Sequence, residues 1–201
     1  MIARKTLIVS LITFLFISLT SYAYIITEDK VPEGWFKTGS SPQSYVIGIE
    51  KKAGENGGNA VYIKSTAENI KGFGTLMQYF SAEKYLNKRV RLSGYIKSKD
   101  VAESAGLWMR IDGKDNPSKP LSFDNMANRP IKGTTEWKKY DIVLDVPSNS
   151  NLINFGLLLS GTGEVWISEL KYEVVDKDVP TTNLMNNAPK ADEPVNLNFE
   201  K

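Results

Sequence analysis

The stretch Gly106–Gly113 reads GLWMRIDG and sets Trp108, Arg110 and Asp112 two residues apart. On a β-strand that spacing places all three on one face, with Leu107, Met109 and Ile111 on the other. An aromatic plate beside a guanidinium and a carboxylate suits a sugar: the ring stacks on the apolar face of a pyranose while the charged groups bond its hydroxyls. The same pattern admits a plainer reading, in which Arg110 and Asp112 pair with each other beneath a covering layer. A second group follows in Phe123-Asp124-Asn125-Met126 and Arg129, a loop leaving a strand. Asp and Asn in such loops bond nearby backbone and hold turns. Arg129 either clamps Asp124 or receives an anionic ligand in a bidentate way. The ligand-binding set expected from the sequence is therefore Trp108, Arg110, Asp112, Asp124, Asn125 and Arg129.

Other chemistry is narrowed by composition. The 201 residues contain no His and no Cys. That excludes imidazole general bases and metal ligands within this chain, and it excludes thiolate nucleophiles, disulfides and thiolate zinc sites. Hydrolysis by paired carboxylates remains open in principle. However, Asp141 and Asp145, four residues apart on one strand phase, stand about 13 Å apart, beyond either hydrolytic geometry. Gly54–Gly58 reads as a hairpin turn rather than a phosphate loop, and Asp112–Asn116 lacks the full calcium loop of an EF-hand. The expectation is a non-catalytic protein with no cofactor and no metal.

The elements that must position these residues are strands. Period-2 alternation runs through Ala60–Lys64, Val90–Ile96, Leu107–Asp112, Tyr140–Val146 and Phe155–Leu159, and the chain turns at Ser160–Gly163 into Val165–Val175. Only Ser65–Lys71 and Ser81–Leu86 suit brief helical turns. About eight short strands in one domain of residues 34–176 predict an all-β jelly-roll sandwich. Trp35 is expected to pin the start of the domain, and Trp137 and Trp166 to pack in the core or at its rim.

The ends differ from the body. Residues 1–23 carry Arg4 and Lys5, an uncharged apolar run from Thr6 to Thr20, and Ser21-Tyr22-Ala23 as a cleavage site, the pattern of an export signal. If it is not cleaved, residues 1–27 form an anchor, and in both cases the body lies outside the cytoplasm. Residues 24–33 are a linker. Residues 177–201, with three Pro and five Asn, read as a flexible tail. Of the 25 Lys and Arg, two leave with the signal, so the exported chain balances 23 basic against 23 acidic residues. A balanced chain has no global attraction for nucleic acid. Lys88, Arg89 and Arg91 read as a solvated strand edge. The expected partners are a carbohydrate or similar polar ligand, or, alternatively, a protein of the cell envelope that uses the domain as a structural or interaction module.

The blocks Gly34-Trp35, Tyr45–Gly48, Gly106–Gly113, Phe123–Met126, Arg129–Thr135, Tyr140–Pro147 and Val165-Trp166-Ile167 resemble a bacterial domain of the galactose-binding-like jelly-roll class, similar to carbohydrate-binding modules. The resemblance covers nearly all of residues 34–175. It implies a sandwich fold, and it implies a domain that also occurs fused to helix-turn-helix transcription regulators. No helix-turn-helix segment is legible in this chain. Modules of this kind often carry Asp-Asp near the start of the last strand for a structural calcium. Ser168-Glu169 stands at the matching place, so the resemblance does not bring a calcium site with it.

Overall fold

The computed structural model describes residues 29–116 and 119–185. The export signal at 1–23 lies outside the described residues, as do 24–28 of the linker and 186–201 of the tail. The described residues form nine strands: β1 (Phe36–Gly39), β2 (Tyr45–Glu50), β3 (Ala60–Ser65), β4 (Phe73–Ser81), β5 (Arg89–Gly113), β6 (Pro120–Asp124), β7 (Ile131–Asp145), β8 (Ser150–Ser160) and β9 (Glu164–Val175). Short 3-10 turns occupy Pro42–Ser44 and Glu83–Tyr85. The second falls within the turn expected at 81–86. The turn expected at 65–71 is instead an irregular loop after Ser65.

The pairing order is β1-β4-β8-β5-β9-β3-β2, every pair antiparallel, with β6 and β7 also on β5. The two segments read from sequence as separate strands, 90–96 and 106–113, are one 25-residue strand. Its first half pairs with β7 and β9, its second with β8 and β6. Three register shifts against β7 between Ile96 and Ala105 mark where it bends from one layer into the other. Bulges add local twist and re-aim a strand, which lets a single strand serve both layers.

The core lies between the layers. Leu76, Leu107, Met109, Ile111, Ile153, Leu157 and Leu159 from one meet Ile47, Ile63, Leu92, Ile96, Ile142 and Leu144 from the other. The period-2 pattern therefore placed the inward residues of β3, β5, β7 and β8 correctly, because one face of each strand must be shielded from water. Trp35 packs edge-on against Phe155 at 5.3 Å, closing one end as expected.

Two surface expectations are corrected. Arg89 and Arg91 are not a solvated edge: Arg89 makes a two-point pair with Asp145 (3.0 and 2.9 Å), and Arg91 pairs with Glu173 at 2.7 Å. The ordered chain also continues past residue 176. The Arg89 guanidinium donates to the carbonyls of Lys177 and Val179, and Thr182 and Leu184 hydrogen-bond to Val143 and Phe123. Composition marks 177–201 as poor in apolar residues, but backbone pairing to open strand edges orders 177–185 without a hydrophobic face. Val143, in the outward phase of β7, is buried accordingly.

This anchor has a pH signature. The hydrogen bond from Arg89, aided by Lys177, holds the Asp145 carboxyl below the usual carboxylate range against the opposing effect of desolvation. A depressed carboxyl stabilises the fold above its unfolded value and loses that contribution as pH falls through the folded one. In urea titrations, the stability gap between the native chain and Asp145→Asn is expected to be constant from pH 5 to 8 and to close below about pH 4. A gap that persists at pH 2 would contradict this account.

Candidate ligand groove

Antiparallel partners point to the same face, so register builds the site directly. On the outer face of the β1-β4-β8-β5-β6 layer, Met77, Gly156 and Trp108 form one row. Tyr79, Asn154, Arg110 and Phe123 form the next, and Phe73, Ser160 and Ser104 lie toward the other end. A groove of about 560 Å³ follows this face, lined among others by Phe73, Thr75, Trp108, Arg110, Phe123 and Asn125. Five large hydrophobic side chains are exposed among the described residues. Three of them, Phe36 (37%), Phe73 (39%) and Tyr79 (54%), belong to this face, and Phe36 meets Tyr79 edge-on at 5.6 Å. From Phe73 to Tyr79 along β4 the face runs about 20 Å.

Trp108 is held, not merely present. Its indole Nε1 reaches across β8 and donates to Thr75 Oγ1 at 2.8 Å, and that hydroxyl donates to the Leu157 carbonyl at 2.7 Å. Gly156, the residue opposite Trp108, keeps the floor low. A Cβ there would sit 2.2 Å from the Leu76 carbonyl oxygen of β4. Gly156→Ala is therefore expected to force the β4–β8 backbones apart, with a loss of about 1–3 kcal/mol read in urea unfolding. An unchanged midpoint would refute it.

Arg110 and Asp112 combine both sequence readings. Arg110 Nη2 donates to Asp112 Oδ2 at 2.8 Å, and Asn154 Nδ2 donates to the same oxygen at 2.8 Å. The Asp112 side chain is 5% exposed while that of Arg110 is 41% exposed, so the carboxylate anchors a guanidinium that reaches the groove. Arg110 Nε and Asp112 Oδ1 have no hydrogen-bond partner among the described residues.

The loop set divides. Asn125 lines the groove, with its Oδ1 accepting from Ala127 N at 3.2 Å in a local turn. Asp124 and Arg129 do not join it. Asp124, the register partner of Met109, points to the core face and is fully buried. Its carboxylate takes two bonds from Arg129 (3.2 and 2.7 Å) and one from Met126 N at 2.7 Å. Arg129 also donates to the Asp141 carbonyl, which ties the loop to β7. The clamp reading is thus the observed one for this pair.

Sequence reasoning missed Phe36, Phe73, Thr75, Met77, Tyr79 and Asn154. The alternation in Phe73-Gly74-Thr75-Leu76-Met77-Gln78-Tyr79 was a usable signal, with aromatics at both ends of one phase. Trp108 is not the one Trp with polar partners. Trp166 Nε1 donates to Glu50 at 2.9 Å, and Lys97 lies over the rings of both Trp166 and Trp137. These two Trp residues sit on the outer face of the opposite layer, where Lys97 and Trp166 are register partners, rather than between the layers, and Trp166 is buried there. Among the described residues no cluster of three or more acidic side chains is placed to share a cation. Glu169 Oε1 instead accepts from the backbone and side chain of Asn56.

No family model matches the chain. The uncharacterized HTH-type transcriptional regulator YbfP of Bacillus subtilis (strain 168) is 48% identical over 174 residues, 86% of this chain and 58% of that relative. The chain thus spans less than two thirds of the relative's length. Among solved structures, the CBM22-1 xylan-binding domain from Paenibacillus barcinonensis Xyn10C superposes with a TM-score of 0.50 at 17% identity, over 74% of this chain and 90% of that one. The chain shares the sandwich fold of that domain. The Stig cyclase Fisc from Fischerella sp. TAU shares it as well, with a TM-score of 0.52 at 16% identity over 72% of this chain and 86% of that one. A module fold that serves both a binder and an enzyme names a scaffold, and the residues on the groove face must decide what is done there.

Proposed function

We propose that the protein is a non-catalytic glycan-binding module that holds a polysaccharide along the groove face. The observation that carries this reading is the concentration of exposed aromatic side chains on that one face, interleaved with fixed polar groups. Phe36, Phe73, Tyr79 and Trp108 supply ring faces, and Arg110, Asn125 and Ser160 supply donors and acceptors for hydroxyls. Water is displaced from the apolar faces of the sugar, while the polar groups set register and specificity. The length of the face suits an extended chain rather than one sugar ring.

Two features support binding over catalysis. The groove lining contains no Asp or Glu among the described residues. The carboxylates beside it are committed elsewhere: Asp112 to Arg110 and Asn154, Asp124 to Arg129, and Glu103 to Ser160. Hydrolysis needs two carboxyl groups flanking the scissile bond. Export through residues 1–23 belongs to the same proposal, supported by the charge and small-residue pattern of that segment. The expected product of cleavage begins at Tyr24, which N-terminal sequencing of the cell-envelope fraction would test.

The functional test is a thermal-shift screen against xylohexaose, cellohexaose, chitohexaose and laminarihexaose at millimolar concentration. A ligand at a hundred times its dissociation constant stabilises the fold by about 2.7 kcal/mol, several degrees for a domain of this size. Hydrolysis of any probe would overturn the non-catalytic reading. A flat screen on a cooperatively melting protein would overturn the glycan reading and favour the role as a structural or interaction domain. The relationship to a transcriptional regulator favours that second reading in one form, a domain that reports to another protein segment.

A further inference from the structure

β6 is a five-residue strand with four paired positions against β5 and a register shift at Ile111/Asp112. Such a short edge strand frays readily. Its outer edge is covered by the segment that follows β9. Phe123 N donates to Asn183 Oδ1 at 3.1 Å, and the Phe123 carbonyl accepts from Leu184 N at 2.8 Å. Thus these two bonds tie the outer backbone edge of Phe123 to that segment. The same segment is fixed upstream by Thr182, which exchanges bonds with Val143 at 2.9 and 3.0 Å, and by Arg89 on the carbonyls of Lys177 and Val179. The Phe123 ring faces the groove beside Arg110, its register partner. Asn183 and Leu184 are not among the residues lining the groove.

We propose that residues 177–185 form a positioning strap for the ligand groove: Asn183 and Leu184 hold Phe123 as the wall beside Arg110, and so set glycan affinity without touching the glycan. This rests on the groove reading above. Without the strap, the backbone of β6 keeps ladder bonds to β5 only, and an aromatic wall on a fraying strand must be ordered each time ligand binds. Pre-ordering removes that cost from the binding step.

The test uses the full chain carrying Asn183→Ala together with Leu184→Pro, which removes both bonds to Phe123. Hydrogen exchange of the amides at 121–124 is expected to accelerate at least tenfold, while β4 and β8 stay unchanged. Affinity for the hexasaccharide that binds the native chain is expected to fall about tenfold. Adding Phe123→Ala should cost little more, because both changes remove the same wall. Unchanged exchange at 121–124 overturns the proposal whether or not a ligand is in hand. Faster exchange with unchanged affinity also overturns it, leaving the segment as an edge cover only. If no hexasaccharide binds the native chain, the groove reading fails and the strap's role in affinity falls with it. Binding that Trp108→Ala abolishes and the strap variant leaves intact would sink the strap alone.

Discussion

Trp108→Ala is expected to weaken binding of a hexasaccharide at least thirtyfold, measured by titration calorimetry. Trp108 sits centrally on the face, in the row between the Phe73 end and the Tyr79 end, and its indole is immobilised by Thr75 before any ligand arrives. Central, pre-ordered aromatic anchors are the residues whose truncation costs about 2 kcal/mol or more in binding, and 1.4 kcal/mol is about tenfold. The control is Trp137→Ala. Trp137 lies over Lys97 on the opposite layer and should leave affinity unchanged. Equal losses in the two variants would mean a general loss of structure. Retained affinity in Trp108→Ala would move the site off this face. Because Trp108 also donates to Thr75, some loss of melting temperature accompanies the change, so affinity is compared at a temperature where both variants are fully folded.

Arg129→Ala is expected to be the most destabilising single change among the residues singled out by sequence. It leaves the Asp124 carboxylate fully buried with one remaining donor, Met126 N, and severs the loop from β7. Breaking a buried pair by removing one partner costs about 3–5 kcal/mol, since the remaining charge is uncompensated. For a domain of this size that is a fall of roughly 6–20 °C in melting temperature. Asp124→Asn keeps an acceptor for Met126 N and removes the buried charge, so it should be milder in otherwise native protein. Neither residue lines the groove, and folded Asp124→Asn protein should bind glycan like the native chain. A severe loss of affinity in a variant that remains folded would bring this pair back into the site.

The loop residues show why composition and spacing reach only so far. Asp124, Asn125 and Arg129 are equally polar in the sequence, and nothing in their order says which faces water. Asp124 belongs to the inward phase of β6, yet its charge argues for the surface, and its burial is decided by a cation five residues later. Asn125, its neighbour, lands on the groove. The strap makes the same point from the other side. Residues 177–185 have no apolar periodicity, so their order comes from edges that only exist once β6 and β7 have been placed.

What the sequence determined by itself was the all-β class, the inward phase of most strands, and one outward phase, the shared face of Trp108, Arg110 and Asp112. These follow from alternation, a local property that a strand of any fold must obey when one side meets a core. Only the tertiary structure decided that two apparent strands are a single bent β5, and that Phe36, Phe73, Tyr79 and Asn154 share the face of Trp108. It also decided that residues 177–185 close its edge. Each of these depends on which strands become neighbours and in what register, contacts between residues 30 to 80 positions apart. No local period encodes such pairings. They are selected by the packing of the whole sandwich, where loop closure and core shape choose among many strand orders that the same alternation would permit.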